Sequence, residues 1–462
     1  MDYLIGLRPG VVVDTSGDQL ILRRGGTCLS MRQDEASSHF LKSLSSASYT
    51  LSELVGLRKS NPLVSLRSQV LLDRLGGLEW LTFSLALDRS EGRSVITAIP
   101  VSPGSGAGMA PQPWERPAPP RERVSLSRFA YARWRDGRMI LRSPLSAYEV
   151  LATGPELPRL LASSTGLHPS AEAVAVLDLL HRARMTDEHQ EDETVLRQWE
   201  FHDLLFHCHT RDGRHERPSG GTFRFAENRH EPEISPVPAL HPSYSGDVIP
   251  LNFPESGASS QDMGLFQTLR KRRSIRRHDA PIGIEHLGVL LYHCARSRFT
   301  DDPDLVQVSR RPYPGGGGLH ELELYIVVND CSGLDPGVYH YRVDEHAVCR
   351  VTGFDANTQD LLDDAAFSMA HPRPQVLVVV TSRFQRVAWK YETIAYSLTL
   401  KHVGCLLQTM YLVATAMGLA PCAIGGGNSE LFARVIGSSP LAESSVGEFS
   451  LGASARSVGG SK

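Results

Sequence analysis

The pattern of apolar and polar positions divides the chain into three blocks, separated by two stretches without helical or strand periodicity. Residues 101–122 are rich in proline, glycine and small side chains, and residues 216–257 form a second loose stretch. This composition is typical of linkers and of segments that cross a surface. We therefore predict a linker at 101–122, a connecting segment at 216–257, and domains over 1–100, 123–215 and 258–462.

The first two blocks share a layout in which a β-hairpin precedes short helices. Apolar alternation flanks a turn at Ser16-Gly17-Asp18 in the first block and at Asp136-Gly137 in the second, and Asp-Gly is a strong hairpin signal. We predict a tandem pair of winged-helix-like modules. The predicted arms are Tyr3–Val13 with Gln19–Arg24 and Phe129–Trp134 with Met139–Arg142, and the predicted helices are Glu35–Leu44, Ser65–Leu75, Ala147–Leu151 and Ala171–Ala183.

Such modules bind peptides or nucleic acids, or act as structural caps. The candidate recognition helix SLRSQVLLDRL offers few of the Arg, Lys, Asn and Gln side chains that DNA binding requires. An extended peptide, in contrast, adds to an exposed hairpin edge through backbone hydrogen bonds alone. Peptide binding is therefore favoured over DNA binding.

The third block has the mixed pattern of an α+β domain. ELELYIVV (321–328) and VLVVVT (376–381) read as buried strands, and 333–351 reads as a hairpin. Between Tyr391 and Gly418 the chain is apolar on nearly every face, which predicts one long helix buried in a core or at a subunit interface.

Composition narrows the class of protein. The 462 residues carry 48 Lys+Arg and 51 Asp+Glu, a net charge of −3, with 41% hydrophobic residues. This balance excludes a disordered chain and gives no field that favours nucleic acid. No apolar run approaches the roughly 18 residues of a membrane span, and the N-terminus lacks signal-peptide features. Seven scattered cysteines, never in C-x-x-C spacing, fit a reducing compartment. We expect a cytoplasmic protein without nucleic-acid or membrane partners.

A basic segment opens the third block. Leu269–Arg277 reads LRKRRSIRR, with six cations in nine residues. It is either a solvated basic turn, a nucleic-acid patch, or an anion clamp in which Arg272, Arg273 and Arg276 lie about a helical turn apart around Ser274. Guanidinium forks suit phosphate oxygens.

Two glycine runs indicate close approach of the backbone to a ligand. Gly315–Gly318 follow Pro314 and precede a strand, and a second turn lies at Gly425–Gly427. Consecutive glycines are costly inside helices or strands, but they let backbone N–H groups reach a flat ligand. A merely flexible loop is the alternative. Because a dinucleotide fingerprint follows its strand, the first run is not one.

Two further groups of side chains are candidates for chemistry. Lys390 and Tyr391 precede the long helix and could form a proton-transfer pair, although a lysine lying along the surface beside a packed tyrosine is the commoner arrangement. His207 and His209 lie on a predicted strand without a third partner, so we predict no metal site.

Taken together, these motifs resemble the nitroreductase-like flavin enzymes, specifically the SagB-type thiazole/oxazole-forming peptide dehydrogenases. The resemblance covers about 200 residues, and Trp199–Arg214 resembles the segment that precedes the flavin domain. The first two blocks then resemble the peptide-clamp domains of larger members. The matching segments, in order, are RRSIRRHDAPI, RPYPGGGGLHELELYIVV, GLDPGVYHYRVDEHAV, WKY, the long helix with Gly404 and Gln408, MGLAPCAIGGG and FSLG.

The resemblance implies FMN bound at the interface of an intertwined homodimer, with roles for particular residues. Lys390 and Tyr391 correspond to the family's catalytic pair. Where the family usually has Pro-Ser-Gly-Gly, this chain has a glycine in place of serine, which removes one hydroxyl. The residues implied to bind cofactor are Arg272, Arg273, Ser274 and Arg276 at the phosphate and ribityl chain, and Pro314, Gly315, Gly316, Gly317, Gln408, Gly425 and Gly426 elsewhere on FMN.

The resemblance also implies a reaction. A thiazoline or oxazoline in a ribosomally made precursor peptide becomes aromatic by losing its Cα proton to Lys390, with Tyr391 orienting or relaying, and a hydride to FMN N5; dioxygen then reoxidises the flavin. The implied partners are the precursor peptide, with its leader and azoline core, and cyclodehydratase proteins. The alternatives are a flavin oxidoreductase of small molecules or carrier-bound azolines, and a non-enzymatic leader-binding scaffold.

Overall fold

A computed structural model divides the chain into two compact units, 1–217 and 218–462. It describes residues 3–50, 53–54, 62–87, 94–101, 125–153, 157–159, 170–187, 194–213, 215, 217–226, 234–254, 263–299 and 306–454. The predicted linker at 101–122, apart from Val101, and the predicted start of the last domain at 258 lie outside the described residues.

The first unit is built on a seven-stranded antiparallel sheet in the order β5-β1-β6-β7-β10-β9-β8, beside a three-stranded sheet, β2-β3-β4. Three of its helices pack their apolar sides into one core with the inner face of the large sheet, and the helix Phe201–His209 belongs to a separate small cluster with Phe129 and Leu196. The elements are β1 (Leu4–Leu7), β2 (Val12–Ser16), β3 (Gln19–Arg24), β4 (Thr27–Arg32), α1 (Glu35–Ser46), β5 (Tyr49–Thr50), α2 (Pro62–Gly77), β6 (Leu81–Leu87), β7 (Ser94–Pro100), β8 (Tyr131–Arg135), β9 (Arg138–Arg142), β10 (Tyr148–Thr153), α3 (Ala171–Arg182) and α4 (Phe201–His209).

Strands from both predicted modules pair with each other. β7 of the first block hydrogen-bonds β10 of the second, with Leu151 opposite Thr97. The two blocks therefore share one sheet and one hydrophobic core. Their division into two winged-helix-like domains remains a prediction about the sequence.

Three local predictions in this unit are wrong. The arm Tyr3–Val13 is interrupted at Pro9-Gly10, where Gly10 has φ +85°, so its two ends join different sheets. Residues Tyr148–Leu151 belong to strand β10, whose side chains alternate between buried and half-buried. The strand forms because β7 and β9 pair with it on both edges. His207 and His209 lie on helix α4 and not on a strand.

The second unit is an α+β fold, as predicted. Its seven-stranded sheet has the order β12-β17-β16-β15-β18-β21-β20, with every pairing antiparallel. The elements are β11 (Gly220–Gly221), β12 (Val248–Pro250), α5 (Leu265–Lys271), α6 (Ile284–Ala295), β13 (Arg298–Phe299), β14 (Ser309–Arg310), β15 (Leu322–Val328), β16 (Gly337–Arg342), β17 (Ala347–Gly353), α7 (Ala356–Met369), β18 (Val376–Arg383), α8 (Phe384–Lys390), β19 (Tyr391–Glu392), α9 (Ala395–Ala416), β20 (Leu419–Ile424), α10 (Ser429–Val435) and β21 (Glu443–Ala453).

The sheet is buried on both faces, since one core lies against α6 and α9 and another against α7 and α10. The predicted strands, the hairpin and the long helix are all present. The segment predicted to connect the domains contributes β12 to the edge of the sheet and the buried Leu251 to its core, so part of it belongs to this fold.

Most thiols are shielded from solvent. Cys208, Cys294, Cys331, Cys349 and Cys422 are buried, Cys405 is half-buried, and Cys28 is exposed. Across the described ranges, no helix combines the length and the apolarity needed to traverse a bilayer.

A buried arginine ties together segments distant in sequence. Arg386, on α8, is 1% exposed. Its guanidinium donates to the carbonyls of Val237 at 2.6 Å, Gln307 at 3.0 Å and Leu319 at 2.6 Å. Burial, followed by the neighbouring Arg383 and Arg311, lowers the pKa of Arg386 to about 10. The interaction fixes the end of the glycine loop against α8.

Replacing Arg386 by methionine should destabilise the second unit by at least about 3 kcal/mol, because buried carbonyls left without a donor cost roughly 1–3 kcal/mol each. The free energy of unfolding would be measured by urea denaturation followed by circular dichroism. Arg373→Met, which removes an exposed pair with Asp363, should cost under about 1 kcal/mol. Equal losses in the two variants would contradict the role assigned to Arg386.

Candidate functional site

The glycine loop lies directly against the lysine–tyrosine pair. Gly317 has φ +61° within a short 3₁₀ turn, Gly316–Gly318. A Cβ atom at Gly317 would lie 2.6 Å from Lys390 Nζ and 2.8 Å from Tyr391 Oη, so no larger residue fits there without displacing them. Lys390 ends α8 and Tyr391 begins β19, and both side chains are half-buried. The structure thus joins two motifs that are 73 residues apart in the sequence.

A histidine and a glutamate hold the loop from the other side. The N–H of Gly316 donates to His402 Nε2 at 2.7 Å, and His402 Nδ1 lies 2.8 Å from Glu321 Oε1. Because Nε2 accepts a hydrogen bond, the ring proton must lie on Nδ1 and donate to the carboxylate. Glu321 is fully buried and His402 nearly so. The pair therefore fixes both the tautomer of the ring and the position of the loop.

The basic segment lies against a second position of helix α9, the helix that also carries His402. Ser274 Oγ lies 2.7 Å from Tyr411 Oη, which accepts a hydrogen bond from the Ala423 N–H at 2.8 Å. The Arg272 guanidinium lies over the Tyr411 ring, 5.2 Å from its centroid. The segment after Lys271 is extended and not helical, so the predicted helical-turn spacing of its arginines is wrong. Its backbone is bound to strand β20 by the Ile275 N–H to Pro421 carbonyl bond.

The other predicted residues are exposed or half-buried. Arg273 and Arg276 are exposed. Gln408 lies on the exposed side of α9, and Gly425 and Gly426 follow β20 with open space where a Cβ would be. His402 and Tyr411 are nine residues apart on α9, or about 13 Å along the axis. Of the predicted residues, the structure therefore brings Gly317, Lys390 and Tyr391 together in one cluster, and Arg272 and Ser274 together at Tyr411 in another.

These clusters have the chemistry that FMN requires. Guanidinium and hydroxyl groups can hold the phosphate, and the glycine backbone leaves room for a flat ring. His320 Nδ1 is buried without a hydrogen-bond partner in the described structure, and it lies 2.8 Å from where a Cβ of Gly315 would be. Burial, reinforced by Arg311, lowers the pKa of His320 to about 4, so the ring is neutral at pH 7. It is therefore available to a polar ligand group.

Beyond the second glycine turn lies a buried carboxyl group. Glu448 on β21 accepts a hydrogen bond from Ser445, and a Cβ at Gly427 would overlap its carboxylate. It lines a cavity of about 310 Å³ together with Gly426, Asp364 and Phe367. Burial raises the pKa of Glu448 to about 7.

In the first unit, the two histidines of α4 have local roles. The His207 ring lies beside Trp199, with ring centroids 5.6 Å apart and ring planes 30° apart, and His209 Nδ1 is bonded to the Leu205 carbonyl. Within the part of the chain that the structure describes, no three His, Cys, Asp or Glu side chains are grouped to hold a metal ion.

Several of these residues carry no signal in the sequence. His402 and Glu321 lie in segments read as core helix and strand, and Arg386 lies in a segment for which the sequence predicts no element. Their partners are between 67 and 149 residues away. Tyr411 has the spacing of an apolar core position. Only buried charge inside otherwise apolar elements could have drawn attention to His402 and Arg386.

Two models of known protein families match parts of this chain. Residues 269–452 match the sequence model of the nitroreductase family, and residues 124–216 match the model described as cyanobactin oxidase ThcOx. The second unit therefore contains a nitroreductase-family oxidoreductase domain, preceded by a ThcOx-like segment. The resemblance drawn from the sequence motifs is confirmed.

One relative is MJ1384 of Methanocaldococcus jannaschii, which is named as a nitroreductase. It is 25% identical over 181 residues, which cover 39% of this chain and 85% of that protein. Trifolitoxin-processing protein TfxB of Rhizobium leguminosarum bv. trifolii is 29% identical over 24% of this chain and 31% of its own length. Microcin B17-processing protein McbC of Escherichia coli is 29% identical over 24% of this chain and 42% of its own length. The aligned region thus spans less than half of each processing protein.

Two solved structures align with this chain at low similarity. A nitroreductase from Ralstonia eutropha aligns with 49% of this chain and 98% of its own, at 19% identity and a TM-score of 0.36. A chain of the E. coli microcin synthetase McbBCD complex with truncated pro-MccB17 aligns with 44% of this chain and 77% of its own, at 20% identity and a TM-score of 0.33.

Replacing His402 by leucine should leave the Glu321 carboxylate buried without its partner and destabilise the protein by about 3–5 kcal/mol. His402→Gln, whose amide can accept from Gly316 and donate to Glu321, should recover at least half of that loss. Urea unfolding of the two variants measures this directly. Equal stabilities of His402→Leu and His402→Gln would show that the hydrogen bonds of His402 do not contribute to stability.

Glu448 should make stability fall as pH rises. In the unfolded chain its pKa is near 4.5, whereas the folded value is about 7, so between these values the unfolded state has released a proton that the folded state retains. The free energy of unfolding of the wild type, relative to Glu448→Gln, should therefore drop by about 2–3 kcal/mol from pH 5 to pH 8. Glu430→Gln, an exposed carboxyl on α10, is the matched control and should show no such difference. A flat wild-type profile relative to Glu448→Gln would refute the raised pKa.

Proposed function

We propose that the protein is an FMN-dependent dehydrogenase that oxidises thiazolines or oxazolines in a ribosomally made precursor peptide to thiazoles or oxazoles. The observation that carries the proposal is the contact of Lys390 and Tyr391 with the Gly317 backbone, on a domain whose basic segment can hold a phosphate. The relatives named for processing trifolitoxin and microcin B17 support a peptide substrate.

Each residue has a defined part in this reaction. The Lys390 amine removes the proton from the former Cα of the azoline, and the Tyr391 hydroxyl orients that amine. FMN, when bound, supplies the acceptor for the hydride that leaves the former Cβ, and dioxygen takes up the electrons afterwards. His402 and Arg386 hold the loop backbone in place, so the amine and the ligand meet at a fixed distance.

The proposal includes a homodimer. Leu265, Phe266 and Leu269 on α5 are exposed, Phe266 to 76%, and so are Tyr396 and Leu400 on the neighbouring α9. Five large apolar side chains on two packed helices form a surface that a second copy would cover. Cyclodehydratase proteins that make the azoline are the other proposed partners, because their product is this enzyme's substrate.

The first test is the absorption spectrum of the purified protein, followed by acid release and identification of the flavin. About one FMN per chain, with turnover of a synthetic azoline peptide, supports the proposal. FMN with turnover of nitroaromatic compounds only would make the protein a small-molecule oxidoreductase. A colourless protein that does not take up added FMN would leave a peptide-binding scaffold.

Lys390→Ala should lower the rate of azole formation by about 10²–10⁴-fold, the usual contribution of a general base, while FMN content is retained. Lys401→Ala, which removes an exposed lysine from α9, is the control and should turn over normally. Azole formation is followed by mass spectrometry as the loss of two hydrogens per ring. Normal turnover by Lys390→Ala would exclude it as the base.

A further inference from the structure

The outer face of the first unit's sheet carries a concentration of arginine. Alternation along β8 and β9 directs Met139 and Leu141 into the core and Arg133, Arg135, Arg138 and Arg142 to the opposite side. Arg135 lies opposite Arg138 in the register, and Arg142 lies opposite Tyr131. We call these four residues the arginine face.

Two adjoining cavities extend this face. One, of about 360 Å³, is lined by all four of these arginines, and the other, of about 260 Å³, shares Arg142 and Glu149 with it and adds Arg8, Arg24 and Arg217. The two cavities together are thus lined by seven arginines and by two carboxylates, Asp136 and Glu149. The concentration is local, because residues 1–217 as a whole contain 26 basic and 26 acidic side chains.

The positive charges are close enough to oppose one another. Arg142 donates to Glu149 at 2.8 Å, which satisfies the carboxylate in the middle of the face. Burial lowers the pKa of Arg217, and the charges of Arg142 and Arg133 lower it further. A bound anion would relieve this repulsion.

The position of the face at a sheet edge indicates the form of the anion. β8 is the outermost strand of the described sheet, so its outer backbone groups can pair with an added strand. Arg133 and Arg135 are two residues apart, or roughly 7 Å along the strand. In a strand added beside β8, every second side chain would lie on the same face as Arg133 and Arg135 and have the same spacing. Side chains directly opposite each other on paired strands are about 5 Å apart.

We propose that the arginine face binds an extended peptide segment with acidic residues at alternate positions, which adds to β8 as a further strand. If the proposed function holds, this segment belongs to the substrate peptide and lies apart from the azoline. A nucleic acid is less suited to the surface, because it has no peptide backbone that could pair with the edge of β8.

The test uses the full chain and two short fluorescein-labelled peptides of equal composition, one with glutamate alternating with valine and one with the glutamates contiguous. Fluorescence anisotropy should show tighter binding of the alternating peptide. Arg133→Glu/Arg135→Glu should raise its Kd about tenfold or more, whereas Lys42→Glu/Arg74→Glu, the same charge change at exposed positions on α1 and α2, should change it less than about twofold.

Equal binding of the two peptides, or equal loss in the two double variants, would overturn the proposal. A labelled single-stranded oligonucleotide that binds more tightly than either peptide, and is lost in Arg133→Glu/Arg135→Glu, would assign the face to nucleic acid instead. Circular dichroism checks that the exposed substitutions leave the fold intact. The variant Arg133→Glu/Arg135→Glu should keep its FMN content and its turnover of a short azoline peptide without glutamates. These two measurements test the proposed dehydrogenase function independently of peptide binding at the arginine face.

Discussion

The position of the candidate site depends on one buried guanidinium. Arg386 and Lys390 are four residues apart on α8, so their side chains leave the helix on the same side. Arg386 binds the Leu319 carbonyl at the end of the glycine loop, and Lys390 contacts Gly317 within that loop. The same helix therefore anchors the loop and places the amine against it. Without the anchor, His402 would still hold Gly316, but the loop would lose this tie to the helix that carries the lysine.

Beneath the loop, charged groups are buried in numbers that a domain core rarely accepts. Glu323 bonds His340 at 3.2 Å and Arg383 at 3.4 Å, and Glu443 bonds His241 and Thr381. Burial alone would raise the pKa of Glu323, but His340, Arg311 and Arg383 lower it to about 2. Paired and hydrogen-bonded charges of this kind define a single arrangement, because any shift leaves a charge without its partner. These ion pairs therefore favour one arrangement of strands β15, β16, β18 and β21.

The sequence predicts the parts of this site that are local and misses those that depend on tertiary contacts. The apolar strands of the second unit, its long helix and the glycine loop follow from periodicity and composition, whereas Lys390 and Tyr391 stand out only through the resemblance to a family. Ala147–Leu151 was predicted as a helix and is a strand, since its neighbours in the sheet decide its conformation. His402 is indistinguishable from other positions of α9 until the fold brings Gly316 and Glu321 to its two ring nitrogens.

The burial of the thiols bears on how long such a protein could work. The proposed reaction delivers electrons to dioxygen and so generates peroxide beside the site, and its substrates are electrophilic rings. Thiolates, not thiols, react with both. Burial raises the pKa of Cys331 to about 12 and that of Cys294 well above its ordinary value, so these side chains remain protonated and inaccessible. The fold thereby shields these thiols from the peroxide that the proposed reaction would release. Cys28, in the other unit, is exposed and is the thiol that peroxide would oxidise first.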